Sequence, residues 1–264
     1  MRNITICRLT KALAILFASV FLFSYAPVSR LLAFAEGWEK MSSYTTYFNE
    51  KELSRSENIR IAARLVSGVT VQPYGDFSFN QTVGRRTKEA GFKQAKIIVN
   101  GEYVLGTGGG VCQVSTTLYN AALKSGLTVT EFHPHSLQIS YVQPSRDAMV
   151  SSSSDLCFTN PHAFPVRLIA ETFEGGIRVS FLGKRDGYRY EIVSSVLGET
   201  PPPPPIVKEG EKEEILRSPK NGVKSEAYLE RYYGDRLVSR KRLRVDEYRP
   251  VQGIIVKKIG FTPD

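Results

Sequence analysis

The chain has 264 residues, of which 42% are hydrophobic and 11% aromatic. This composition excludes a wholly disordered chain, and the length allows one domain of ordinary size with a smaller part beside it. The net charge of +9 comes mostly from the two ends: residues 36–205 hold 17 basic and 16 acidic side chains, and residues 206–264 hold 14 and 10. Such a tail suits an anionic wall or membrane surface better than nucleic acid, although a solvated charged face accounts for the excess equally well.

Residues 1–35 have the layout of a secretory signal peptide. Three basic residues precede an uncharged apolar run over residues 12–26, and Ala33-Phe34-Ala35 is typical of a cleavage site. The run is shorter than the roughly 20 residues that a membrane span needs. An uncleaved N-terminal membrane anchor is the alternative, because Pro27 and Arg30 separate the run from the cleavage site. In both cases we expect an extracytoplasmic protein, either secreted or membrane-anchored.

Residues 45–197 predict an α+β main domain. Ser54 and Glu57 have the spacing of a capping box and predict the start of a first helix. Asn100-Gly101 predicts the tight turn of a hairpin, and the apolar stripe from Val111 predicts a second helix. Antiparallel strands follow, including a hairpin at a Gly-Gly turn. Because helices and strands are segregated along the chain, the order helix, hairpin, helix and strands is typical of the α+β class.

A proline-rich linker over residues 198–205 separates this domain from the tail. Five consecutive prolines end it, and such a run adopts an extended, semi-rigid conformation. Residues 206–264 predict a small, extended all-β module. The sequence RLVSRKRLRV has charges on both faces of a strand, and a strand that is wet on both faces cannot form much core.

Cys112 follows a glycine run and stands at the start of the second predicted helix. Unpaired N–H groups and the positive end of the helix dipole favour a thiolate there. A nucleophilic thiolate needs a histidine base and a group that orients the base. His133 and His135 follow, and the candidate orienting groups are Asp147, Asp155 and Asn160. Papain-like and transglutaminase-like hydrolases use the same chain order, which is a fold-level analogy.

Three other interpretations of this region stay open. The glycine run is also typical of a tight strand-to-helix turn that simply buries Cys112. In an oxidising compartment, Cys112 and Cys157 predict a disulfide. Zinc could be bound by these two cysteines together with His133 and His135, although the spacing is not that of a Cys-x-x-Cys site.

Five stretches together resemble the VanW family over about residues 45–183. They are YGDFSFNQTVGRRTKEAGF, IIVNGEYVLGTGGGVCQVSTTLYNAAL, HPHSLQISYV, SRDAMV and DLCFTN. The resemblance implies an exported or membrane-anchored bacterial envelope protein, associated by its family name with vancomycin resistance, without a defined biochemical activity. The family motif includes His135 but not His133, so it favours His135 as the base. Cys157 lies outside the motif, so a disulfide to Cys112 is not a family feature.

The tail resembles the second part of a G-five domain. The matching stretches are KNGVKSEAYLERYYGDRLVSR and YRPVQGIIVKKIG. The resemblance implies binding to polymers that contain N-acetylglucosamine, or a role as an elongated spacer.

Two functional hypotheses follow. The first is a wall-associated protein that acts at or binds peptidoglycan, with no defined activity. The second is a cysteine-dependent amidase, peptidase or acyltransferase on peptidoglycan stem peptides, in which Cys112 is the nucleophile, His135 the base and Asp147 the orienting group. The expected substrate-binding residues are Arg86, Gly109, Gly110, Gln113, Ser115 and Ser136. Neither hypothesis requires a cofactor, a metal or nucleic acid.

Overall fold

The computed structural model describes residues 37–99 and 101–258. The predicted signal peptide or anchor over residues 1–35 therefore lies outside the described residues. Within the described ranges, no helix combines the length and apolar character that a membrane span requires. The same ranges contain fifteen strands and three helices, so the protein is mostly β with few helices.

The helices are α1 (Leu53–Val66), α2 (Phe79–Val83) and α3 (Val111–Lys124). The strands of the N-terminal part are β1 (Glu39–Tyr47), β2 (Thr70–Val71), β3 (Asp76–Ser78), β4 (Gln94–Val99), β5 (Glu102–Thr107), β6 (Thr128–Glu131), β7 (Cys157–Thr159), β8 (Val166–Phe173) and β9 (Gly176–Gly183). The C-terminal strands are β10 (Arg189–Thr200), β11 (Ile206–Gly210), β12 (Glu214–Arg217), β13 (Gly222–Tyr233), β14 (Arg236–Tyr248) and β15 (Ile254–Lys258).

The centre of the fold is a four-stranded sheet with the strand order β1-β9-β8-β2. Strands β8 and β9 pair antiparallel and form the hairpin that the Gly-Gly turn predicted. Helix α1 packs against β8 and helix α3 against β9, since each helix directs apolar side chains toward the sheet. The buried apolar core includes Ile59, Val66, Leu118, Leu168 and Phe181.

Both predicted helices are present, but α1 begins differently from the prediction. Helix α3 begins at Val111, where its apolar stripe begins. Helix α1 begins at Leu53, and no side chain among the described residues caps its N-terminus with a hydrogen bond. The predicted capping box of Ser54 and Glu57 is therefore wrong, because the helix begins before Ser54 and not after it.

Two smaller sheets lie beside the central one. Strands β4 and β5 form the predicted antiparallel hairpin, although its turn residue Asn100 lies outside the described residues. Strands β3, β7 and β6 form the other sheet, in that order. Between β6 and β7, residues 132–156 form neither helix nor strand. This irregular segment carries both His135 and Asp147, so its position relative to α3 determines the geometry of the candidate site.

The C-terminal strands form two three-stranded sheets, with the orders β10-β13-β14 and β11-β15-β12. Strand β10 pairs antiparallel with β13 as far as Thr200, so residues 198–200 of the predicted linker belong to a strand. In β14, residues 236–242 are exposed, as the charge pattern predicted. The second half of the strand differs, because Arg244, Asp246 and Tyr248 are buried.

Candidate active site

Helix α3 positions Cys112 in its first turn, and two tightly packed glycines directly precede the helix. Gly110 has a left-handed φ of +107°, and a Cβ there would lie 2.9 Å from the Arg55 carbonyl oxygen. A Cβ on Gly109 would lie 2.6 Å from the Lys96 carbonyl oxygen. Both distances are too short for a side chain, so the glycines allow the turn to fit between α1 and β4. The protein's own packing therefore explains these glycines.

His135 and Asp147 form a buried hydrogen-bonded pair. The His135 Nδ1 lies 2.7 Å from Asp147 Oδ2, and the backbone N–H of His135 donates to the same oxygen at 2.7 Å. The two residues are 6% and 0% exposed. With Nδ1 held by the carboxylate, the other ring nitrogen of His135 is available to the Cys112 thiol.

The electrostatics of the pair favour a thiolate and an imidazolium. Burial raises the pKa of the Cys112 thiol. A hydrogen bond with His135, the charge of that ring, a backbone hydrogen bond at Val150 and the charge of Arg86 lower it, and the net effect is a lowered pKa. Burial lowers the pKa of His135, yet its hydrogen bonds with Asp147 and Cys112 raise the pKa to about 9. Both shifts therefore favour the thiolate form of Cys112 beside the protonated form of His135.

The Asp147 carboxylate stays ionised at the centre of this arrangement. Burial raises the pKa of Asp147, but the hydrogen bond and the charge of His135 lower it by more, and Arg244 and Tyr248 lower it further. A buried carboxylate stays charged only when such partners surround it. Asp147 therefore has the properties of a group that orients His135 and stabilises its protonated form.

Cys112 and His135 open onto a cavity of about 1190 Å³. Four cationic side chains line it, namely Arg55, Arg85, Arg86 and Lys96, whereas Glu52 is the one acidic residue among the described lining residues. The apolar part of the wall comes from the β4–β5 hairpin and the irregular segment, with Ile97, Ile98, Tyr103, Ile139, Tyr141 and Met149. A cavity with this lining suits an acyl or peptide chain that carries a carboxylate.

Four of the six expected substrate-binding residues line the cavity: Arg86, Gly109, Gly110 and Gln113. The guanidinium of Arg86 is held by Asn80, whose Oδ1 accepts a hydrogen bond from Nη1 at 2.8 Å. The side-chain amide of Gln113 is fully engaged, since it donates to Thr46 and to the Tyr47 carbonyl. Gln113 therefore lines the cavity, but its side-chain N–H groups are already bound by β1.

Ser115 and Ser136 are absent from the described cavity lining, so their expected contact with substrate is also corrected. The Ser115 hydroxyl is buried and donates to the Ala148 carbonyl oxygen at 2.6 Å. The Ser136 carbonyl oxygen accepts a hydrogen bond of 2.9 Å from the backbone N–H of Arg249. Both residues instead fix the irregular segment, Ser115 from α3 and Ser136 through the residue that follows β14.

The alternative histidine and orienting groups lie elsewhere. The His133 Nε2 contacts the Glu131 carboxylate at 2.9 Å and is not part of the described cavity lining. Asp155 accepts hydrogen bonds from Ser78 and from the backbone of Asn80. The Asn160 side chain donates to three backbone carbonyl groups. Of the candidates considered from the sequence, the structure thus brings His135 and Asp147 to Cys112.

The two described cysteines are not bonded to each other. Cys112 and Cys157 are both free thiols, so the disulfide interpretation is wrong. Burial and the neighbouring carboxylates of Asp155 and Glu131 raise the pKa of Cys157 to about 12, which makes this thiol unreactive near neutral pH. The described residues also contain no group of three or more His, Cys, Asp or Glu side chains that could hold a metal ion, so the zinc interpretation has no support.

Two residues of the tail complete the site, and no local sequence pattern indicated them. The Tyr248 hydroxyl donates to Asp147 Oδ1 at 2.5 Å, and Arg244 Nη1 donates to the Asp147 carbonyl oxygen at 2.6 Å. The alternation of Arg244, Asp246 and Tyr248 along β14 has the period of one strand face. That pattern could have marked a polar buried face, but a polar alternation is equally typical of a solvated one.

Comparison with known proteins agrees with the motifs. Residues 54–182 match the family model described as VanW like protein. The chain is 38% identical over 167 residues to "Uncharacterized protein YoaR" of Bacillus subtilis. The matched region covers 63% of this chain and 53% of that protein. It is 29% identical over 90 residues to "Vancomycin B-type resistance protein VanW" of Enterococcus faecalis, covering 34% of this chain and 32% of that protein. The chain thus spans about half the length of the first relative and about a third of the second.

A solved structure, that of HP0197-G5, matches 26% of this chain and 93% of that chain, with 16% sequence identity and a TM-score of 0.16. This similarity is too low to establish a shared fold, so the G-five-like module remains a prediction. The family match begins after β1 and covers the other three strands of the central sheet, the three helices and the irregular segment that carries His135 and Asp147, apart from the first residue of α1 and the last of β9. Residues 54–182 are therefore similar to the VanW family.

Proposed function

We propose that this chain is an extracytoplasmic, wall-associated protein that catalyses cysteine-dependent acyl transfer on peptidoglycan stem peptides, as an amidase, peptidase or acyltransferase. One observation carries the proposal: Cys112, with a lowered thiol pKa, and the Asp147-bound His135 line the same cavity. The apolar and basic leader supports export. The similarity to a protein named for vancomycin resistance supports a wall substrate.

The geometry supports a two-step reaction. The Cys112 thiolate attacks the carbonyl carbon of an amide, and the electron pair of the C=O bond moves to the oxygen. Protonated His135 then gives its proton to the leaving nitrogen as the C–N bond breaks, which leaves a thioester on Cys112. Neutral His135 next takes a proton from water or from an acceptor amine, whose attack breaks the C–S bond and restores the thiolate and the imidazolium.

The start of α3 supplies the stabilisation that the oxyanion needs. Among the described residues, no carbonyl accepts a hydrogen bond from the backbone N–H of Cys112, whereas the N–H groups of Val111 and Gln113 donate to Gly108 and Gly110. A free N–H and the positive end of the helix dipole beside Cys112 would stabilise the negative charge that develops on the carbonyl oxygen.

The cationic lining supports an anionic substrate. Arg86 lies close enough to Cys112 for its charge to lower the pKa of the thiol, and Lys96 and Arg55 line the same cavity. A guanidinium binds a carboxylate through paired, charge-assisted hydrogen bonds. Stem peptides carry free carboxylates beside their amide bonds, so they fit both the cationic groups and the proposed reaction.

The proposal is tested with purified muropeptides and the Cys112→Ala variant. We expect the native protein to cleave or exchange an amide bond, with products detected by mass spectrometry, and Cys112→Ala to lose at least about a thousandfold in rate. Cys157→Ala is the matched control, because its thiol has a raised pKa and contacts Asp155 rather than His135; it should retain the native rate. Turnover that survives in Cys112→Ala would exclude cysteine catalysis.

A non-catalytic peptidoglycan-binding protein is the second candidate. The observation that favours it is the tight packing around Gly109 and Gly110, which accounts for the glycine run without any reaction. Sedimentation with purified cell wall distinguishes the two functions. Wall binding that is equal in native protein and Cys112→Ala, together with no product from muropeptides in either, would favour the binding protein.

A further inference from the structure

Strand β14 supplies the partners of one of the two oxygens of the Asp147 carboxylate. Oδ2 accepts its two hydrogen bonds from His135, whereas Oδ1 accepts one from the Tyr248 hydroxyl at 2.5 Å. The Arg244 guanidinium lies 3.6 Å from Oδ1 and also donates to the Asp147 carbonyl oxygen at 2.6 Å. Within the described residues, every hydrogen-bonding or ionic partner of the Asp147 side chain other than His135 therefore comes from this one strand.

Asp147 cannot hold its charge and orientation without these partners. It is 0% exposed, so water does not compensate its charge, and a buried carboxylate needs hydrogen bonds and a counter-ion from the protein. Tyr248 and Arg244 are themselves only 2% and 7% exposed, which keeps water out of the contact. Arg244 is fixed in turn by two hydrogen bonds to the Asp246 carboxylate, of 2.6 and 3.0 Å.

We propose that β14 is a part of the active site, in which Tyr248 and Arg244 position Asp147 and, through it, His135 against Cys112. The inference rests on the proposed cysteine-dependent reaction and deepens it. Tyr248 and Arg244 are positioning residues, since neither lines the cavity within the described residues. The C-terminal strands would then be required for nucleophile activation as well as for any contact with the wall.

Strands β13 and β14, with the residue that follows β14, hold both ends of the segment between His135 and Asp147. The backbone N–H of Ser145 donates to the Tyr248 hydroxyl oxygen at 2.8 Å, and the Ser145 hydroxyl contacts the Ser225 hydroxyl of β13 at 2.8 Å. At the other end, the N–H of Arg249 donates to the Ser136 carbonyl oxygen at 2.9 Å. Since the segment has no helix or strand of its own, these contacts give His135 and Asp147 a fixed separation.

The Tyr248 hydroxyl also selects one orientation of the carboxylate. A carboxylate can rotate about its Cβ–Cγ bond, and such terminal torsions have broad energy wells. With Oδ1 bonded to Tyr248, Oδ2 is directed at the His135 ring. The groups bonded to or paired with this carboxylate are His135, Arg244 and Tyr248. The other titratable or charged groups nearby are Cys112 beyond the ring, Asp246 beyond the guanidinium, and the buried tyrosines Tyr119 and Tyr141.

The test is the pH dependence of Cys112 alkylation by iodoacetamide in the full chain, read by mass spectrometry of the Cys112 peptide. Tyr248→Phe removes one hydroxyl and keeps the ring. We expect the pH midpoint of alkylation to rise by about one pH unit, which at pH values below the midpoint is about a tenfold slower reaction. The rate of muropeptide turnover should fall by a similar or larger factor.

Tyr228→Phe is the matched control. Its hydroxyl also donates to a carboxylate, that of Glu226 at 2.9 Å, in the neighbouring strand β13. This variant should keep the native midpoint. A merely structural effect of losing a tyrosine hydroxyl would lower the melting temperature of both variants and leave both alkylation midpoints unchanged.

The outcomes separate this inference from the proposed function. A native midpoint near the ordinary thiol value of about 8.5 would overturn both, because there would be no activated thiol to position. A low native midpoint that Tyr248→Phe leaves unchanged would overturn only the role of β14. If Tyr248→Phe lacks a cooperative melting transition, Arg244→Lys is used for the same measurement. This variant keeps the positive charge but loses the paired hydrogen bonds to the Asp246 carboxylate. An unchanged alkylation midpoint in Arg244→Lys would overturn the inference.

Discussion

Replacing Asp147 by asparagine tests the electrostatic argument directly. The substitution keeps the size of the side chain and removes the charge that stabilises protonated His135. A hydrogen bond to a charged group contributes about 1.5–3 kcal/mol, and one pKa unit corresponds to about 1.4 kcal/mol. We therefore expect the pKa of His135 to fall by about one to two units from its native value of about 9.

Because the two charges stabilise each other, the pKa of the Cys112 thiol should rise as that of His135 falls. The assay is the rate of Cys112 alkylation between pH 4 and pH 10 (roughly the range set by the ordinary pKa values). Asp155→Asn is the matched control, since its carboxylate contacts Ser78 and Asn80 and not His135. The reasoning is refuted if Asp147→Asn and Asp155→Asn have the same alkylation profile.

The same substitution has a predicted effect on stability against pH. The folded-state pKa of His135, about 9, lies above the unfolded value of about 6.5. The contribution of His135 to the free energy of unfolding is therefore complete below about pH 6.5 and is lost as the pH rises through about 9. The folded pKa of Asp147 is lowered, so its contribution is lost only at acidic pH. The difference in melting temperature between native protein and Asp147→Asn should be largest near pH 5–6 and smaller near pH 9 (both approximate).

Three further substitutions follow from the packing and the hydrogen bonds. His135→Ala should raise the pH midpoint of Cys112 alkylation, whereas His133→Ala should leave it unchanged, because the His133 ring contacts Glu131. Gly109→Ala should destabilise the fold by about 1–3 kcal/mol in urea unfolding, since its Cβ would lie 2.6 Å from a carbonyl oxygen, while Gly198→Ala, with open space around it, should be neutral. Ser115→Ala should cost about 1–2 kcal/mol in the same assay through the lost hydrogen bond to Ala148.

Local patterns were sufficient for the elements that local chemistry determines. The α3 helix begins at Val111 because an apolar stripe starts there, and the β4–β5 pairing follows from two apolar-rich runs around a turn. The choice of His135 over His133 came from the family resemblance, and the structure places the His135 ring beside Asp147. These features depend on residues that are close in sequence or on a long motif.

Burial of polar groups between distant segments could not be predicted in the same way. Gln113 was expected to bind substrate, but its amide donates to β1, more than sixty residues earlier. Tyr248 lies 101 residues after the carboxylate that it contacts. In both cases the sequence shows a polar side chain, and only the tertiary structure determines whether water or another part of the chain satisfies it.

The polar residues of α3 show what such burial achieves in this fold. The helix is buried on nearly all sides. Its Ser115 and Asn120 side chains donate hydrogen bonds to backbone carbonyl groups within residues 146–148, and the Thr116 hydroxyl accepts one from the backbone N–H of Ala148. Strand β14 binds the same stretch from the other side, through Arg244 and Tyr248. Because this stretch forms no helix or strand, its position depends on side-chain contacts from the two elements that enclose it. The serine, threonine and asparagine side chains that follow the cysteine thus hold an irregular, charge-bearing segment against α3.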